Sequence, residues 1–209
     1  MSELRELLVQ RARVADFSID DLLLDRLQAY FKLLAHWNAR INLTGFPLDK
    51  PTGDAVDRLL IEPLITARSL PHPVSVWFDL GSGGGSPAIP IQLYRPAKTL
   101  VLVESKGRKA AFLREVARVL SLDSVEVESN RIESIAVSHP LAATADLVTI
   151  RAVRPSDDVL KAVRRLLRFG GQAAFIGSAV NASAAPEGFQ VVPVTDPASS
   201  GSLLLLSKV

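Results

Sequence analysis

Residues Val76–Ile91, with the sequence VWFDLGSGGGSPAIPI, are the most informative segment of the chain about its fold. An apolar run leads into the glycine-rich segment Gly81–Gly85, and a second apolar run, 99–103, is followed by Glu104. Strand, glycine turn, helix, strand and acid in this order are typical of a nucleotide-binding βαβ unit. Glycines let the backbone approach a ligand closely, and the acid can accept hydrogen bonds from a ribose diol. The segment therefore predicts a cofactor site.

Two classes of cofactor fit this layout. Dinucleotides favour a third glycine that admits a pyrophosphate at the helix N-terminus, and Ser86 occupies that position here. S-adenosylmethionine carries an ammonium and a sulfonium instead of phosphates, so the nearby carboxylate of Asp79 favours it. The sequence thus predicts S-adenosylmethionine over NAD, with a site that includes Asp79, Gly81, Ser82, Gly83, Glu104 and Ser105.

Composition limits the class of protein. The chain has 209 residues, 48% of them hydrophobic, which is enough for a substantial core. It has no cysteine, and its three histidines lack metal-ligand spacing, so no disulfide, thiolate chemistry or metal site is expected. No apolar run is long enough to span a membrane, and no signal peptide is recognisable. We expect a cytoplasmic monomer that does not bind membranes.

The chain divides into a helical extension, residues 1–70, and an α/β domain, residues 71–209. In the extension, a helix over 20–37 with Ser18 as its N-cap is predicted, followed by a helical stretch, 55–69, interrupted near Pro63. Beyond residue 70 the sequence predicts strands over 74–80, 99–104, 124–128, 146–150, 172–176, 189–194 and 203–207, and helices over 87–94, 108–120, 132–137 and 157–167. This alternation predicts a mostly parallel, seven-stranded sheet with an antiparallel last strand.

Several charged residues follow predicted strands, where ligands bind in open α/β sheets. Arg151 comes directly after an apolar strand, and a charge there is costly unless it is paired or used, so a site role is favoured. Basic residues also align on one face of the 157–167 helix: Lys161, Arg164, Arg165 and Arg168. A solvated helix face is the simpler interpretation of this second group, and contact with phosphates is the alternative.

A set of short motifs spans nearly the whole chain: His36-Trp37-Asn38 and Ile41-Asn42-Leu43-Thr44, Asp79–Gly83 with Pro87 and Ile89-Pro90, Val103–Lys109, Phe112–Arg114, Asn130–Glu133 and Thr149–Val153. In these motifs the chain resembles the RsmG/GidB family of bacterial methyltransferases. The resemblance implies a Rossmann-like, seven-stranded class I S-adenosylmethionine-dependent methyltransferase with an N-terminal helical extension. It also implies methyl transfer to N7 of a guanine in small-subunit ribosomal RNA.

Residue roles follow from the same resemblance. It implies that Gly81 and Gly83 cradle the methionine part of the cofactor, that Glu104 holds the ribose, and that Ile132 and Glu133 lie at the adenine. Arg151 is assigned to the cofactor, the RNA and catalysis. The expected RNA contacts are Lys106, Arg108, Arg131 and Arg151.

The chain departs from the family where RNA is expected to bind. It has Gly177-Ser178 in place of Lys-Gly and Gly201-Ser202 in place of a basic residue, and the second helical stretch keeps only Arg58 of an Arg-His motif. Weaker binding to ribosomal RNA is therefore expected. Two alternatives stay open: a methyltransferase of the same fold with another RNA or small-molecule target, and a non-catalytic member that binds RNA or a partner.

Overall fold

The computed structural model describes residues 3–151, 156–177, 185–194, 196 and 203–209. The N-terminal region contains α1 (Glu3–Val14), α2 (Asp21–Asn38), α3 (Gly53–Val56), a π-helical turn (Asp57–Ile61), α4 (Glu62–Thr66) and a 3-10 turn (Ala67–Ser69). The strands that follow are β1 (Val76–Leu80), β2 (Thr99–Val103), β3 (Val125–Glu128), β4 (Ala145–Arg151), β5 (Leu167–Ile176), β6 (Phe189–Val192) and β7 (Leu203–Lys208). The helices between them are α5 (Ala88–Tyr94), α6 (Gly107–Val119), α7 (Ile132–Ser138) and α8 (Asp157–Leu166).

The seven strands form one sheet in the order β3-β2-β1-β4-β5-β7-β6. The pairs among the first five are parallel, and β7 runs antiparallel to β5 and β6, which confirms the predicted sheet and its antiparallel last strand. The strand order reverses direction between β1 and β4. In a doubly wound sheet a crevice opens there, at the carboxyl ends of the strands. The glycine turn after β1 and Arg151 at the end of β4 both lie at this crevice.

Helices cover both faces of the sheet because successive strand residues point to opposite sides. Trp77 belongs to the cluster packed under α1, α2, α5 and α6, while its neighbour Phe78 belongs to the cluster under α7 and α8. Leu8 and Leu27 of the N-terminal helices are fully buried in the same cluster as Trp77. The helical extension therefore packs directly on the sheet that carries the site.

The N-terminus of α2 corrects a detail of the prediction. The N-cap is Asp20 and not Ser18, and its side chain accepts a hydrogen bond of 2.7 Å from the N–H of Leu23. A carboxylate at this position also interacts favourably with the helix dipole. Asp20 therefore provides both the hydrogen bond and the charge, and the helix begins at Asp21.

The predicted helix over 157–167 ends one residue early, at Leu166, and β5 begins at Leu167. Arg168 is therefore in a strand, and its assignment to the same helix face as Lys161 was wrong. The reason is a register irregularity against β4 next to Gly170, whose φ is 73°. Arg168 instead pairs with Asp146 through a 2.7 Å contact. Among the described helices, none is long and apolar enough to cross a bilayer.

Candidate functional site

The glycine turn joins β1 to α5 at the crevice. Gly81, Gly83 and Gly85 have φ angles of 73°, 53° and 85°, in the left-handed region that other residues disfavour. A Cβ on Gly85 would lie 2.9 Å from Cγ1 of Ile89, so a larger residue would force the turn away from α5. The N–H of Gly81 donates to the carbonyl of Val103 at 2.9 Å. The turn is therefore held against the end of β2.

Glu104 follows β2 and lies beside the turn, almost completely buried. One carboxylate oxygen, Oε2, accepts a 3.0 Å hydrogen bond from the N–H of Gly83, and the other, Oε1, accepts one of 2.8 Å from the N–H of Lys106. A carboxylate offers about four acceptor positions, so these two bonds leave capacity for a diol. Glu104 thus fixes the turn and can still receive a ligand.

A cavity of about 350 Å³ opens beside Glu104. It is lined by Gly81, Val103, Glu104, Ser105, Asn130, Arg131, Ile132 and Glu133. We call it the Glu104 pocket. Five of the predicted cofactor residues meet here although they come from three separate segments. Asp79, Ser82 and Gly83 lie in or below the glycine turn outside this lining, and Arg151 lines a different cavity.

Asp79 is buried beneath the turn and belongs to a chain of hydrogen bonds. The indole N–H of Trp77 donates to the hydroxyl of Thr149 at 2.8 Å, and that hydroxyl donates to Oδ1 of Asp79 at 2.5 Å. Burial raises the pKa of Asp79 to about 6, against the opposing effects of the Thr149 hydrogen bond and the positive charge of Arg151. The carboxylate is therefore charged at neutral pH at an energetic cost, which indicates a functional group more than a structural one.

Arg151 connects three parts of the crevice, and its side chain is only 11% exposed. Nη1 donates to Oγ of Ser86 at 2.8 Å, and Nη2 donates to the carbonyl of Arg58 at 2.6 Å and to Oε2 of Glu62 at 3.4 Å. We call this arrangement the Arg151 brace. Burial, and then the charge of Arg58, lower the pKa of Arg151 to about 10, so it stays a cation at neutral pH. Arg151 therefore fastens β4 to the glycine turn and the π-helical turn.

Proline explains how the π-helical turn provides one of these contacts. In a regular helix the carbonyl of Leu59 would bond to the N–H of the residue four positions later, but that residue is Pro63. The hydroxyl of Ser86 donates to this carbonyl instead, at 2.8 Å. The interruption predicted near Pro63 is thus a widened turn inside a helical run, and it binds the end of the glycine turn.

The i→i−5 hydrogen bonding of the π-helical turn leaves a second carbonyl, that of Arg58, without a partner inside the helix. The N–H of Glu62 bonds to Asp57, five residues back, and not to Arg58. The carbonyl of Arg58 is thereby left for Arg151. π-helical turns are frequent at functional sites, and here the turn supplies two acceptors that a regular helix would use internally.

A second cavity, of about 230 Å³, lies between the N-terminal region and the glycine turn. It is lined by Leu34, Leu43, Thr44, Phe46, Arg58, Leu59, Gly84, Ser86 and Arg151, and we call it the Phe46 pocket. Oδ1 of Asn38 accepts hydrogen bonds from the N–H groups of Leu43 and Thr44 at 2.9 and 3.0 Å. The Trp-Asn motif therefore shapes the loop that walls this pocket.

Tyr30 connects the N-terminal extension to the glycine turn itself. Its side chain is fully buried in α2, and the hydroxyl donates to the carbonyl of Gly84 at 2.6 Å. Burial raises the pKa of Tyr30 far above its ordinary value, so it remains a neutral donor. The extension thus helps to define the site as well as the core.

Of the predicted RNA-contacting residues, Arg131 lines the Glu104 pocket, Lys106 is bonded to Glu104 through its backbone N–H, and Arg151 lines the Phe46 pocket. Lys106, Arg108 and Arg131 are exposed, at the starts of α6 and α7. Trp37, from the family motif in α2, packs beside Phe112, with the two ring centroids 5.8 Å apart. Within the described residues, no group of three or more His, Asp or Glu side chains is arranged to hold a metal ion.

The sequence did not place Tyr30, Glu62 and Thr149 in the site, and it indicated Arg58 only as the remainder of an Arg-His motif. Tyr30 and Thr149 resemble ordinary core positions in the helix and strand patterns. Glu62 occurs where the family pattern has Asp, three residues after Leu59, and its carboxylate pairs with both Arg58 and Arg151. The proline beside it was the available signal, because it frees a carbonyl at that turn.

The sheet order, the glycine turn at the strand-order reversal and the acid after β2 define a Rossmann-like, S-adenosylmethionine-dependent methyltransferase. The chain belongs to the GidB family: residues 23–187 match the family model described as rRNA small subunit methyltransferase G. This match confirms the resemblance found in the sequence.

Individual relatives agree with the family match. Ribosomal RNA small subunit methyltransferase G of Neisseria meningitidis is 34% identical over 166 residues, which cover 77% of this chain and 74% of that protein. The protein of the same name from Halorhodospira halophila is 32% identical over 163 residues, covering 78% and 73% of the two chains. The predicted enzyme class is therefore confirmed.

Solved structures support the fold. A mutant of MtNAS superposes with a TM-score of 0.58 at 15% identity, covering 99% of this chain and 86% of that chain. An rRNA methylase from Streptococcus thermophilus gives a TM-score of 0.50 at 14% identity, covering 71% and 95%. A protein from Streptococcus mutans solved in complex with SAH also gives 0.50 at 14% identity, covering 71% and 96%.

Proposed function

We propose that this protein transfers a methyl group from S-adenosylmethionine to N7 of a guanine in small-subunit ribosomal RNA. The observation that carries the proposal is the Glu104 pocket beside the glycine turn, in a chain of the GidB family. The proposal places a monomer in the cytoplasm, where it meets the small subunit. The 1–70 extension and the 71–209 domain act as one unit, because the extension supplies Tyr30 to the turn.

The residues present fit the cofactor. The remaining lone pairs of Glu104 suit the two ribose hydroxyls, and Gly81 lets the backbone lie close to the ligand. Ile132 and Glu133, from the start of α7, border the pocket where an adenine ring would lie. The charged carboxylate of Asp79 below the turn favours the ammonium and sulfonium groups. Ser82, Gly83 and Ser105 complete the proposed cofactor contacts.

The chemistry of N7 methylation asks little of the protein. The bound cofactor supplies an electrophilic methyl group on a sulfonium. The N7 lone pair forms a bond to the methyl carbon while the carbon–sulfur bond breaks and its electron pair stays on sulfur. One positive charge moves to the guanine, and no proton is transferred. The rate therefore depends mainly on how well the base and the methyl group are positioned. We assign a positioning role to Arg151, because its hydrogen bonds hold the glycine turn that lies between the two pockets.

The RNA surface of the proposal consists of Lys106, Arg108 and Arg131, with Arg151 behind them at the crevice. Arg131 lines the Glu104 pocket, and Lys106 and Arg108 are exposed at the start of α6, where phosphates of a docked RNA would pass. Each phosphate contact releases counterions, so binding to ribosomal subunits is expected to weaken with rising salt, with a slope of about one for each contact.

The direct test is methyl transfer to small subunits isolated from cells that lack the modification. We expect binding of S-adenosylmethionine by calorimetry, and incorporation of one methyl group that mass spectrometry locates on a guanine as 7-methylguanine. Cofactor binding without transfer to any RNA would favour a small-molecule target. Subunit binding without cofactor binding would favour a non-catalytic role.

Replacing Glu104 by Ala is expected to weaken S-adenosylmethionine binding by about tenfold to a hundredfold. The substitution removes the acceptor for the diol, a loss of about 1–3 kcal/mol in binding. The N–H groups of Gly83 and Lys106 also lose their partner, which affects the stability of the turn in the free and bound protein alike. Calorimetry measures the affinity, and circular dichroism checks the fold. Glu126→Ala on β3 is the matched control, since Glu126 is exposed and outside the pocket lining. Equal affinities for the two variants would exclude Glu104 as the ribose ligand.

A further inference from the structure

The Phe46 pocket is a concave site that the proposed cofactor contacts leave unused. It shares Gly84 and Ser86 with the glycine turn, while the Glu104 pocket shares Gly81, so the two cavities flank the same short segment. If the Glu104 pocket holds the methyl donor, the Phe46 pocket is the neighbouring cavity available to an acceptor. The position of the Phe46 pocket is therefore that of an acceptor site.

The lining of this pocket suits a planar heterocycle. Its walls are apolar, with Leu34, Leu43 and Leu59 buried and the ring of Phe46 partly exposed. Aromatic side chains stack on bases irrespective of sequence. Polar groups come from Thr44, from Ser86 and Arg151, which are hydrogen-bonded to each other, and from the partly exposed side chain of Arg58. An apolar slot with few polar groups is the usual design of a small-ligand site.

Arg58 is held in a defined position at the edge of this slot. Its Nη1 donates to Oε2 of Glu62 at 2.6 Å, and its guanidinium lies against Gly177 at the end of β5. A Cβ on Gly177 would be 2.6 Å from Nη2 of Arg58, and the φ of Gly177 is 73°. Gly177 thus leaves the space that the guanidinium fills. The position where the family has a lysine is occupied here by the positive end of Arg58.

We propose that the Phe46 pocket receives the target guanine and that Arg58 recognises it by donating a hydrogen bond to O6. This inference rests on the proposed function. O6 neighbours N7 on the same edge of the base, so a donor at O6 leaves the N7 lone pair directed at the methyl group. Adenine carries an amino group at this position, which offers Arg58 a donor instead of an acceptor and is rejected.

The proposal also revises the expected effect of Gly177. The departure from Lys-Gly at this position predicts weaker RNA binding for lack of a lysine, and on that basis alone a lysine here would raise the affinity. A side chain there would instead strain the backbone and displace Arg58, so Gly177→Lys is expected to weaken acceptor binding. The other departures, Ser178 and Gly201, lie outside the described residues, as does the segment after Arg151.

The test compares acceptor and cofactor parameters in separate measurements. For Arg58→Gln we expect the KM for undermethylated small subunits to rise about tenfold or more, with the dissociation constant of S-adenosylmethionine from calorimetry within twofold of wild type. Gly177→Ala keeps the charge but displaces the guanidinium, and its KM is expected to rise in the same direction. Arg118→Gln, which removes an exposed cation paired with Glu115, is the charge-matched control and should leave both parameters unchanged.

Each outcome separates the inference from the function on which it rests. If wild-type protein methylates subunits and Arg58→Gln has unchanged kinetics, the pocket assignment is wrong and the function stands. If Arg58→Gln weakens cofactor binding without changing the subunit KM, the pocket holds the methionine end of the cofactor, and the inference fails. If wild-type protein binds S-adenosylmethionine but methylates no guanine in the subunit, the proposed function itself fails.

Discussion

Replacing Asp79 by Asn is expected to make the protein more stable and a poorer binder of its cofactor. The pKa of Asp79 is about 6 in the folded protein, against an ordinary value of 3.8, and this difference corresponds to about 2–3 kcal/mol. Ionisation of Asp79 therefore lowers the free energy of unfolding as pH rises from 3.8 to about 6, and the full destabilisation is present above that pH. An amide keeps an acceptor for Thr149 and removes that cost, so denaturant unfolding at pH 7.5 should show the gain.

The same substitution should reduce S-adenosylmethionine affinity by about tenfold to a hundredfold, because the negative charge buried beneath the glycine turn is lost. In the wild type, affinity should rise between pH 5 and 7 as Asp79 ionises near pH 6, and then level off. Asp79→Asn should show no such rise. Calorimetry across this pH range measures both. A variant that is more stable and binds normally would show that the buried charge does not serve the cofactor.

Asp146→Asn is an informative control at the opposite end of the sheet. Burial raises the pKa of Asp146, but hydrogen bonds from Arg168 and from the N–H groups of Val76 and Ser75 outweigh it and hold the pKa below its usual value. This carboxylate stabilises the folded protein above its unfolded pKa, and that stability is lost as pH falls through the folded pKa. Asp146→Asn should therefore destabilise at neutral pH and leave cofactor binding unchanged, the reverse of Asp79→Asn.

The second large effect is expected for Arg151, whose substitution should stop methyl transfer. Arg151→Ala removes hydrogen bonds to Ser86, to the carbonyl of Arg58 and to Glu62, and the loss of charged hydrogen bonds is worth about 1.5–3 kcal/mol each in buried positions. Because Glu62 is partly exposed and can be hydrated, the bonds to Ser86 and to the Arg58 carbonyl set an upper bound of about 3–6 kcal/mol. Removing the guanidinium also removes the cost of burying it, which offsets part of this loss, so we expect a folded protein. Single-turnover methyl transfer should fall below detection.

Arg151→Lys distinguishes positioning from simple structural support. Lysine keeps the charge but lacks the planar fork that contacts several acceptors at once. Stability should stay within about 1 kcal/mol of wild type, while kcat falls about a hundredfold, the effect of a misplacement of about 1 Å. Arg168→Lys, at the other end of the sheet and half exposed, is the matched control and should retain full activity. If Arg151→Lys keeps the wild-type kcat, the brace has no positioning role.

Much of the fold could be predicted because its signals are local. The apolar runs, the glycine segment and the acid after 99–103 follow one another in the chain, and their spacing identifies the βαβ unit. Helix and strand boundaries were off by one or two residues where competing caps or glycines lie close together, as at Asp20 and Ser18. The start of β5 was off by five residues, because the irregularity at Gly170 separates its first paired residue from the rest of the strand.

The residues of the candidate site likewise fall into two groups, those with a local signal in the sequence and those without one. Gly81, Glu104 and Ser105 could be predicted because they follow strands, and parallel strands bring those ends to one edge. Ile132 and Glu133 were assigned only through the family resemblance. Tyr30, Glu62 and Thr149 could not, because each acts through a partner distant in the chain. Thr149 is 70 residues from Asp79, and the Arg151 hydrogen bond to the Arg58 carbonyl spans 93 residues.

The amino-acid sequence was enough to predict the sheet, the glycine turn, the acid after β2 and the family. These depend on periodicity, backbone freedom and the charge of residues read in order. The contacts of Arg151 and Arg58, by contrast, could be known only from the tertiary structure. In the folded protein Arg151 is buried and donates to the Arg58 carbonyl, which the π-helical turn leaves free. The Leu59 carbonyl, freed by Pro63, accepts from Ser86, and the Arg58 guanidinium fills the space left by Gly177. The reason is that the cost of burying a charge depends on its partners, and those partners meet only when the N-terminal helices pack on the sheet.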